Sequence, residues 1–597
     1  MTNNTVPLNQ ARRKPPANEN EPIHDHGPDM DDAPPMIEPE GYAGACPVKC
    51  LGVDEGNFYF VTPRGQLRCV PDTRMGNRQV IEGLFGAQSW WLAMAFPKKD
   101  KDGQSGNEPV ADIAKTAHWM MAECDRNGLF QPDRLRGKGV WADVKGGLII
   151  HCGDVLVLSS GKKMVTAGEK LDDGWVYPAQ PPMPADLRPD LDRPATVEQM
   201  RLVREHIDSW RFSTEADPVI CLGVMGMVCI TGALDKRPTL WLCGPFSAGK
   251  SSLLDLLTLP IGGANAAEKT TDATDAYIRG ALNGAAKPVF MDEMEPEDGK
   301  ADGAMRLARY GFSADQGIIG RSSASQKVVA QRIIAQFIFG SIKHPEPSPQ
   351  DRSRIHFVTL RDREVSQEAT DRFRDRRDLL KPLGPRIWAR MIVGYDRFRA
   401  NLAVYERILS SVSYTARMVD RMAPVLAAYE TLMHDDVIEV AAAVDQINVL
   451  GLDTPQQSDS EFDECLRHLL TSQVETWRNG ERYTIGRLLK YVIEREEDDR
   501  FTIGDFRRMA DETLPAIGLR VVKDGKSPSA TVTHLMIASN HAQLNRIYRG
   551  TKWDHGVYRQ PFSCVDGAIT KKARFTAAPC WATVVPIDLI LGGGDEG

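Results

Sequence analysis

The run Gly244-Pro245-Phe246-Ser247-Ala248-Gly249-Lys250-Ser251, followed by Ser252, fits the pattern G-x-x-x-x-G-K-[ST] at every defining position. Residues of these types at this spacing bind phosphate. Glycines let backbone N–H groups turn inward around an anion, and a helix that starts at the loop adds the partial positive charge of its N-terminus. Lys250 is then placed to reach the β- and γ-phosphates of a nucleotide such as ATP, and the Ser251 hydroxyl to ligate Mg2+. A glycine turn opening an ordinary helix would need neither the lysine nor the hydroxyl.

Further along, Pro288-Val289-Phe290-Met291-Asp292-Glu293 is an apolar run ending in two carboxylates. This is the Walker B pattern. Asp292 would hold Mg2+ and Glu293 would polarise an attacking water, which suits repeated hydrolysis better than a kinase. A strand that happens to end in an acidic turn is the plainer alternative.

The elements that must position these groups are legible nearby. Thr239-Leu240-Trp241-Leu242-Cys243 reads as a short buried strand, and Ser252-Leu253-Leu254-Asp255-Leu256-Leu257 as a helix start. A second apolar strand, Ile333 to Ser341, ends in a small polar residue. Gln350-Asp351-Arg352-Ser353-Arg354 precedes a further strand, Ile355-His356-Phe357-Val358. The guanidinium groups of Arg352 and Arg354 suit transition-state phosphate charge, as fingers reaching a neighbouring subunit; surface arginines paired with Asp351 and Asp362 are the alternative. Between the two apolar strands, Gly317 to Lys327 carries glycines, serines, Arg321 and Lys327. That composition fits either a phosphate-contacting hairpin on DNA or an ordinary polar one.

The succession Arg237-Pro238-Thr239 to Gly244, the glycine loop, Asp272-Ala273-Thr274, Asp292-Glu293, Gly320-Arg321-Ser322 and Asp351-Arg352-Ser353-Arg354 resembles the helicase-type ATPase of phage and prophage replication proteins. These belong with the AAA+ and superfamily 3 P-loop enzymes. The resemblance covers about residues 200–362 most specifically. It reaches Pro47–Ser160 more loosely, through Leu51-Gly52-Val53 and Arg136-Gly137-Lys138-Gly139-Val140-Trp141.

The resemblance implies an α/β P-loop NTPase core, a cytoplasmic ring oligomer such as a homo-hexamer, and ATP and Mg2+ as ligands. It also implies a single-stranded or forked DNA partner and a role in phage DNA replication. It places a γ-phosphate sensor at Ser341, where that family more often has asparagine; a loop-starting serine is the alternative. No primase metal site or zinc module accompanies the motor, so any priming would lie in a separate chain or have been lost. A protein-remodelling or DNA-packaging ATPase and a nucleotide-binding assembly module remain alternatives.

Composition bounds the rest. The 597 residues are 42% hydrophobic and 26% charged, enough for several domains with real cores. Lys+Arg number 73 against 81 Asp+Glu, a net charge of −8. That excludes nucleic-acid binding by bulk charge but not by a local basic patch. The 11 cysteines form no CxxC pair, and Cys46 and Cys50 have no second ligand pair at zinc spacing, so free thiols in a reducing cytoplasm are expected. The first residues lack the apolar segment of a secretory leader. The uncharged stretch Pro218–Leu234 borders on membrane-spanning length, but its glycines and its place before the loop favour a buried helix.

Along the chain the expected order is a disordered proline-rich and acidic tail over 1–45 and an α+β domain over 46–177. A proline-rich linker over 178–196, an ATPase domain over 197–362 and a helical region over 363–454 follow. A C-terminal α+β domain over 455–597 completes it, with Lys571, Lys572 and Arg574 near its end.

Overall fold

Continuous apolar runs bounded by turns are what a parallel sheet buried on both faces requires, and this chain builds one. In the computed structural model, five parallel strands lie in the spatial order Ile355–Thr359, Thr239–Cys243, Phe337–Ser341, Val289–Met291, Glu268–Thr270. Every residue of Thr239–Cys243, Val289–Met291 and Phe337–Ser341 is buried.

The structure describes residues 38–40, 43–99, 110–169, 171, 173–270, 274–282, 284–295, 300–313, 318–322, 328–343, 347–362, 367–411, 414–450, 461–475, 482–494, 505, 508–525, 530–551, 553–575 and 579–591. The expected disordered tail therefore falls almost wholly outside the described residues.

The chain divides into two compact units. The first comprises residues 1–188 together with 279–287 and 318–334; the second comprises the remainder. In the first unit, Lys49–Asp54, Asn57–Val61 and Leu67–Pro71 form an antiparallel sheet. The helix Ile113–Arg126 packs on it through Met120 and Cys124. A second antiparallel sheet runs Gly139–Ala142, Leu148–His151, Val155–Leu158, Lys163–Thr166.

Two pieces of the expected ATPase stretch belong to this first unit. Ala286 bridges Gly139 on one side and Ile334 on the other, and it joins Trp141, Ile149 and Tyr177 in one core. The hairpin Ile318–Ser322/Val328–Arg332 goes with them.

The part of the proline-rich 178–196 stretch up to Arg188 is hydrogen-bonded within the first unit. Arg188 pairs with Asp154 at 2.8 Å, and the Met183 N–H donates to the Cys152 carbonyl. The Gly153 N–H donates to His151 Nδ1, which leaves Nε2 to donate to the Pro178 carbonyl at 2.9 Å. Burial holds that imidazole neutral by lowering its pKa to about 4. In the second unit the Asp190 N–H bonds the Pro385 carbonyl.

In the second unit the uncharged stretch becomes the helix Ala216–Val228, buried along its whole length. Its glycines face the helix Ala416–Met433 at backbone contact. A Cβ at Gly223 would lie 2.2 Å from the Val425 carbonyl oxygen, so a larger residue there would force the pair apart. No helix among the described residues is long and apolar enough to cross a membrane.

The expected helical region is present as Gln367–Leu380, Gly384–Val393, Tyr395–Ser411, Ala416–Met433 and Val440–Val449. Buried Arg390 ties it together by donating to the carbonyls of Ala195, Leu432 and His434. The C-terminal part contains a four-stranded antiparallel sheet in the order Leu519–Lys523, Val532–Ala538, Pro579–Pro586, Ile569–Arg574. It shares one core with the helices Glu461–Thr471 and Ile485–Glu494.

Candidate nucleotide and metal site

In parallel sheets ligands bind beyond the carboxyl ends of the strands, where neighbouring connections diverge. The glycine loop leaves Thr239–Cys243 at that end, and the helix Lys250–Thr258 begins at Lys250. Gly249 supplies the left-handed turn between them with φ +83°, a conformation that costs other residues energy. Its carbonyl accepts a hydrogen bond from Trp210 Nε1 at 3.1 Å, and a Cβ at Gly249 would meet that nitrogen at 3.0 Å. Trp210, itself buried against His206 and Phe373, thus clamps the loop from outside it. Nothing local in the sequence marked Trp210 for this.

Lys250 is 8% exposed, and its Nζ donates to the carbonyls of Gly244 at 2.7 Å and Pro245 at 2.9 Å. Its charge is satisfied by neutral acceptors, which an anion would outcompete. Pro245 is half-buried, Ala248 buried, Ser247 exposed and Ser252 half-buried; Phe246 projects from the loop, 90% exposed.

The Ser251 hydroxyl donates to Asp292 Oδ2 at 2.6 Å. Asp292 follows Val289–Met291, which is separated from the loop strand by Phe337–Ser341. Gly340 on that intervening strand makes the approach possible: a Cβ there would lie 2.6 Å from Asp292 Oδ1. Asp292 Oδ1 in turn accepts the Glu293 N–H at 3.0 Å. A hydroxyl and a carboxylate in contact are hard oxygen donors of the kind Mg2+ takes, so these two side chains fit the ion the sequence implies.

Glu293 is exposed and has φ +59°. A non-glycine residue in this region stores roughly 1–3 kcal/mol of strain. Such strain clusters at functional sites.

Glu295 lies two residues on. Its carboxylate accepts the N–H groups of Ile342 at 2.6 Å and Lys343 at 3.2 Å, fixing the turn after the strand Phe337–Ser341.

Ser341 ends the strand Phe337–Ser341, next to the loop strand. It is 1% exposed; its Oγ accepts from Trp241 Nε1 at 2.8 Å and donates to the Lys343 carbonyl at 2.6 Å. Neighbouring Cys243, 3.8 Å away, has its thiol pushed up to about 11 by burial. This hydroxyl holds the strand end together, with its donor on the Lys343 carbonyl.

The two arginines separate. Arg354 is 6% exposed, donates to the Gln350 carbonyl and lies 5.5 Å over the Phe312 ring, with burial lowering its pKa. Its guanidinium is packed within its own chain. Arg352, at the end of the short helix Pro349–Arg352, is exposed. Asp351 pairs with neither; it takes Arg309 in a two-pronged bond at 2.8 Å each. Arg321 lies on Ile318–Ser322 in the first unit, while Lys327 and Asp272-Ala273 lie outside the described residues. Among the described residues there is no cluster of three or more His, Cys, Asp or Glu able to hold a metal.

No protein-family model matches this chain, and no curated protein matches it. Two solved structures align over most of its length. One is described as an active helicase, the Cch protein of SCCmec type IV. It is 12% identical with a TM-score of 0.42, covering 92% of this chain and 95% of that one. The other is the C-terminal region of NrS-1 in an apo form, 10% identical with a TM-score of 0.33, covering 90% and 96%. TM-scores below 0.5 at such identities do not establish a shared fold. The chain is a mixed α/β protein whose parallel five-stranded sheet is consistent with a nucleotide-binding core.

Proposed function

We propose that the chain is a Mg2+-dependent ATPase that drives a DNA helicase or translocase. One observation carries the ATPase part: Ser251 and Asp292, brought from two different strand ends, touch at 2.6 Å beside the lysine-bearing glycine loop. A carboxylate on the loop serine is what a Mg2+-nucleotide site needs, and Glu293 beside it offers the base that hydrolysis adds.

In this reading the N-terminus of the helix Lys250–Thr258 and the loop N–H groups bind the phosphates. Lys250 leaves the carbonyls of Gly244 and Pro245 for the phosphate oxygens, a stronger charge-assisted partner. Bound Mg2+, held by Ser251 and Asp292, would supply neutralisation of phosphate charge. Glu293, next to Asp292 and open to solvent, orients a water and accepts its proton. Gly340 keeps the Asp292 carboxylate in place, and Trp210 keeps the loop closed on its outer side.

The DNA part is supported by the sequence resemblance to phage replication motors over about residues 200–362, and a ring of subunits by the exposure of Arg352. ATP turnover by the purified chain, measured with and without single-stranded and forked DNA, tests both parts. Stimulation by DNA is expected. Turnover indifferent to DNA would point to a protein-remodelling ATPase, and no turnover with intact nucleotide binding to an assembly module.

A further inference from the structure

The C-terminal sheet carries a second site that the nucleotide chemistry does not use. A cavity of about 510 Å³ lies between the helix Arg559–Ser563 and the sheet, lined by Ser539, Asn540, Gln560, Thr570 and Trp581 among others, with Arg559 at its side. Its volume is in the range of pockets that hold one small ligand. Its lining offers hydroxyls, amides and a guanidinium, and no carboxylate.

The register explains the chemistry at its edge. On the outer strand Ile569–Arg574, Thr570 sits opposite Thr583, Lys572 opposite Trp581, and Arg574 opposite Pro579. Residues directly opposite in an antiparallel pair share a face. Thr570, Lys572, Arg574 and Trp581 therefore line one face, and all four are exposed. Trp581 is 54% exposed, and Lys572 Nζ lies 5.3 Å from its ring centroid.

Lysine on an edge strand would by itself be ordinary protection against sheet-to-sheet pairing. Edge protection does not account for the exposed indole of Trp581, which lies on the neighbouring inner strand with the Lys572 ammonium over its ring. An exposed aromatic beside cations, next to a pocket whose lining carries no acid, is the combination that stacks an unpaired base and neutralises its phosphates. A duplex offers no free base face to the indole.

We propose that this face binds single-stranded DNA: one base stacks on Trp581 with its edge toward Ser539, Asn540 and Gln560, and the adjoining phosphates meet Lys572, Arg574 and Arg559. The site is independent of the glycine loop and stands or falls separately from the ATPase reading.

The test is a titration of the full chain, without nucleotide, into a labelled thymidine oligonucleotide read by fluorescence anisotropy. Trp581→Ala should weaken binding about 5- to 150-fold, the cost of one lost base–aromatic stack, and Trp581→Phe should restore most of it. The double variant Lys572→Glu, Arg574→Glu should lower the slope of log affinity against log salt by about 1.4, at about 0.7 per phosphate. An iododeoxyuridine oligonucleotide should photocrosslink to the segment around Trp581. ATP turnover without DNA should match wild type in all three variants. Because the altered side chains are exposed, folding is expected to survive, and an unchanged melting temperature checks this. Unchanged affinity in both the Ala and the double-Glu variants, crosslinks confined to other segments, or tighter binding of duplex or of RNA of the same sequence would overturn the proposal.

Discussion

Lys250 is the residue on which phosphate binding turns. Its buried ammonium is held by two carbonyls and has no carboxylate partner in those bonds, so its loss should cost function more than folding. Lys250→Ala is expected to abolish ATP turnover and weaken nucleotide binding; wild-type turnover in that variant would end the assignment. Glu293→Gln should bind ATP but hydrolyse it about 10²- to 10⁴-fold more slowly in single turnover, the usual cost of a removed base. Glu295 was the next carboxylate in sequence. With both its oxygens engaged by backbone N–H groups, Glu295→Gln should instead loosen the turn at Ile342–Lys343. If it slowed hydrolysis as much as Glu293→Gln while leaving stability intact, the base would have to be reassigned.

At the scale of elements, the site depends on three strand ends arriving together. The strand Phe337–Ser341 separates the loop strand from the one leading to Asp292, and Gly340 is where it gives way. Gly340→Ala places a methyl 2.6 Å from Asp292 Oδ1. The carboxylate must then swing off Ser251 or the strand must shift, an overpacking worth about 1–3 kcal/mol. The expected result is a lower melting temperature together with a raised Mg2+ requirement for turnover. A variant destabilised but unchanged in its Mg2+ dependence would show that Gly340 serves only the sheet. On the same strand the Ser341 hydroxyl, between Trp241 Nε1 and the Lys343 carbonyl, is part of the joint.

At the scale of the whole molecule, Arg352 and Arg354 make opposite predictions from positions two apart. Arg354→Ala removes a buried guanidinium stacked on Phe312, and should cost stability of about 1–3 kcal/mol through the lost hydrogen bond and ring contact. Arg352→Ala should leave the melting temperature unchanged. If Arg352 completes a neighbour's site, the variant should bind ATP normally and hydrolyse it about 10³-fold or more slowly. Mixing it with Lys250→Ala subunits should recover turnover, because one partner supplies the loop and the other the arginine. Wild-type activity per subunit should rise with protein concentration. A monomer fully active without Arg352 would refute both the finger and the ring.

The sequence by itself determined the glycine loop, the carboxylate pair and the strands that carry them, because these are local patterns: apolar runs of strand length, glycines at fixed offsets, and acids at a strand end. The glycine spacing of Ala216–Val228 likewise read as a helix buried beside the sheet. What only the tertiary structure decided involves partners far apart in the chain. Trp210 reaches Gly249, Ser251 reaches Asp292, and Trp241 reaches Ser341 because strand order made them neighbours. Arg352 and Arg354 are equally charged in the sequence, yet a turn of backbone leaves one in solvent and seats the other on Phe312. The stretches 279–287 and 318–334 read as part of one ATPase block, but Ala286 pairs with Gly139 and joins the N-terminal unit. Hydrogen bonding between distant strands carries no signature in the residues on either side. Side-chain type fixes what chemistry is on offer, and packing decides which of those groups still has an unfilled bond to give.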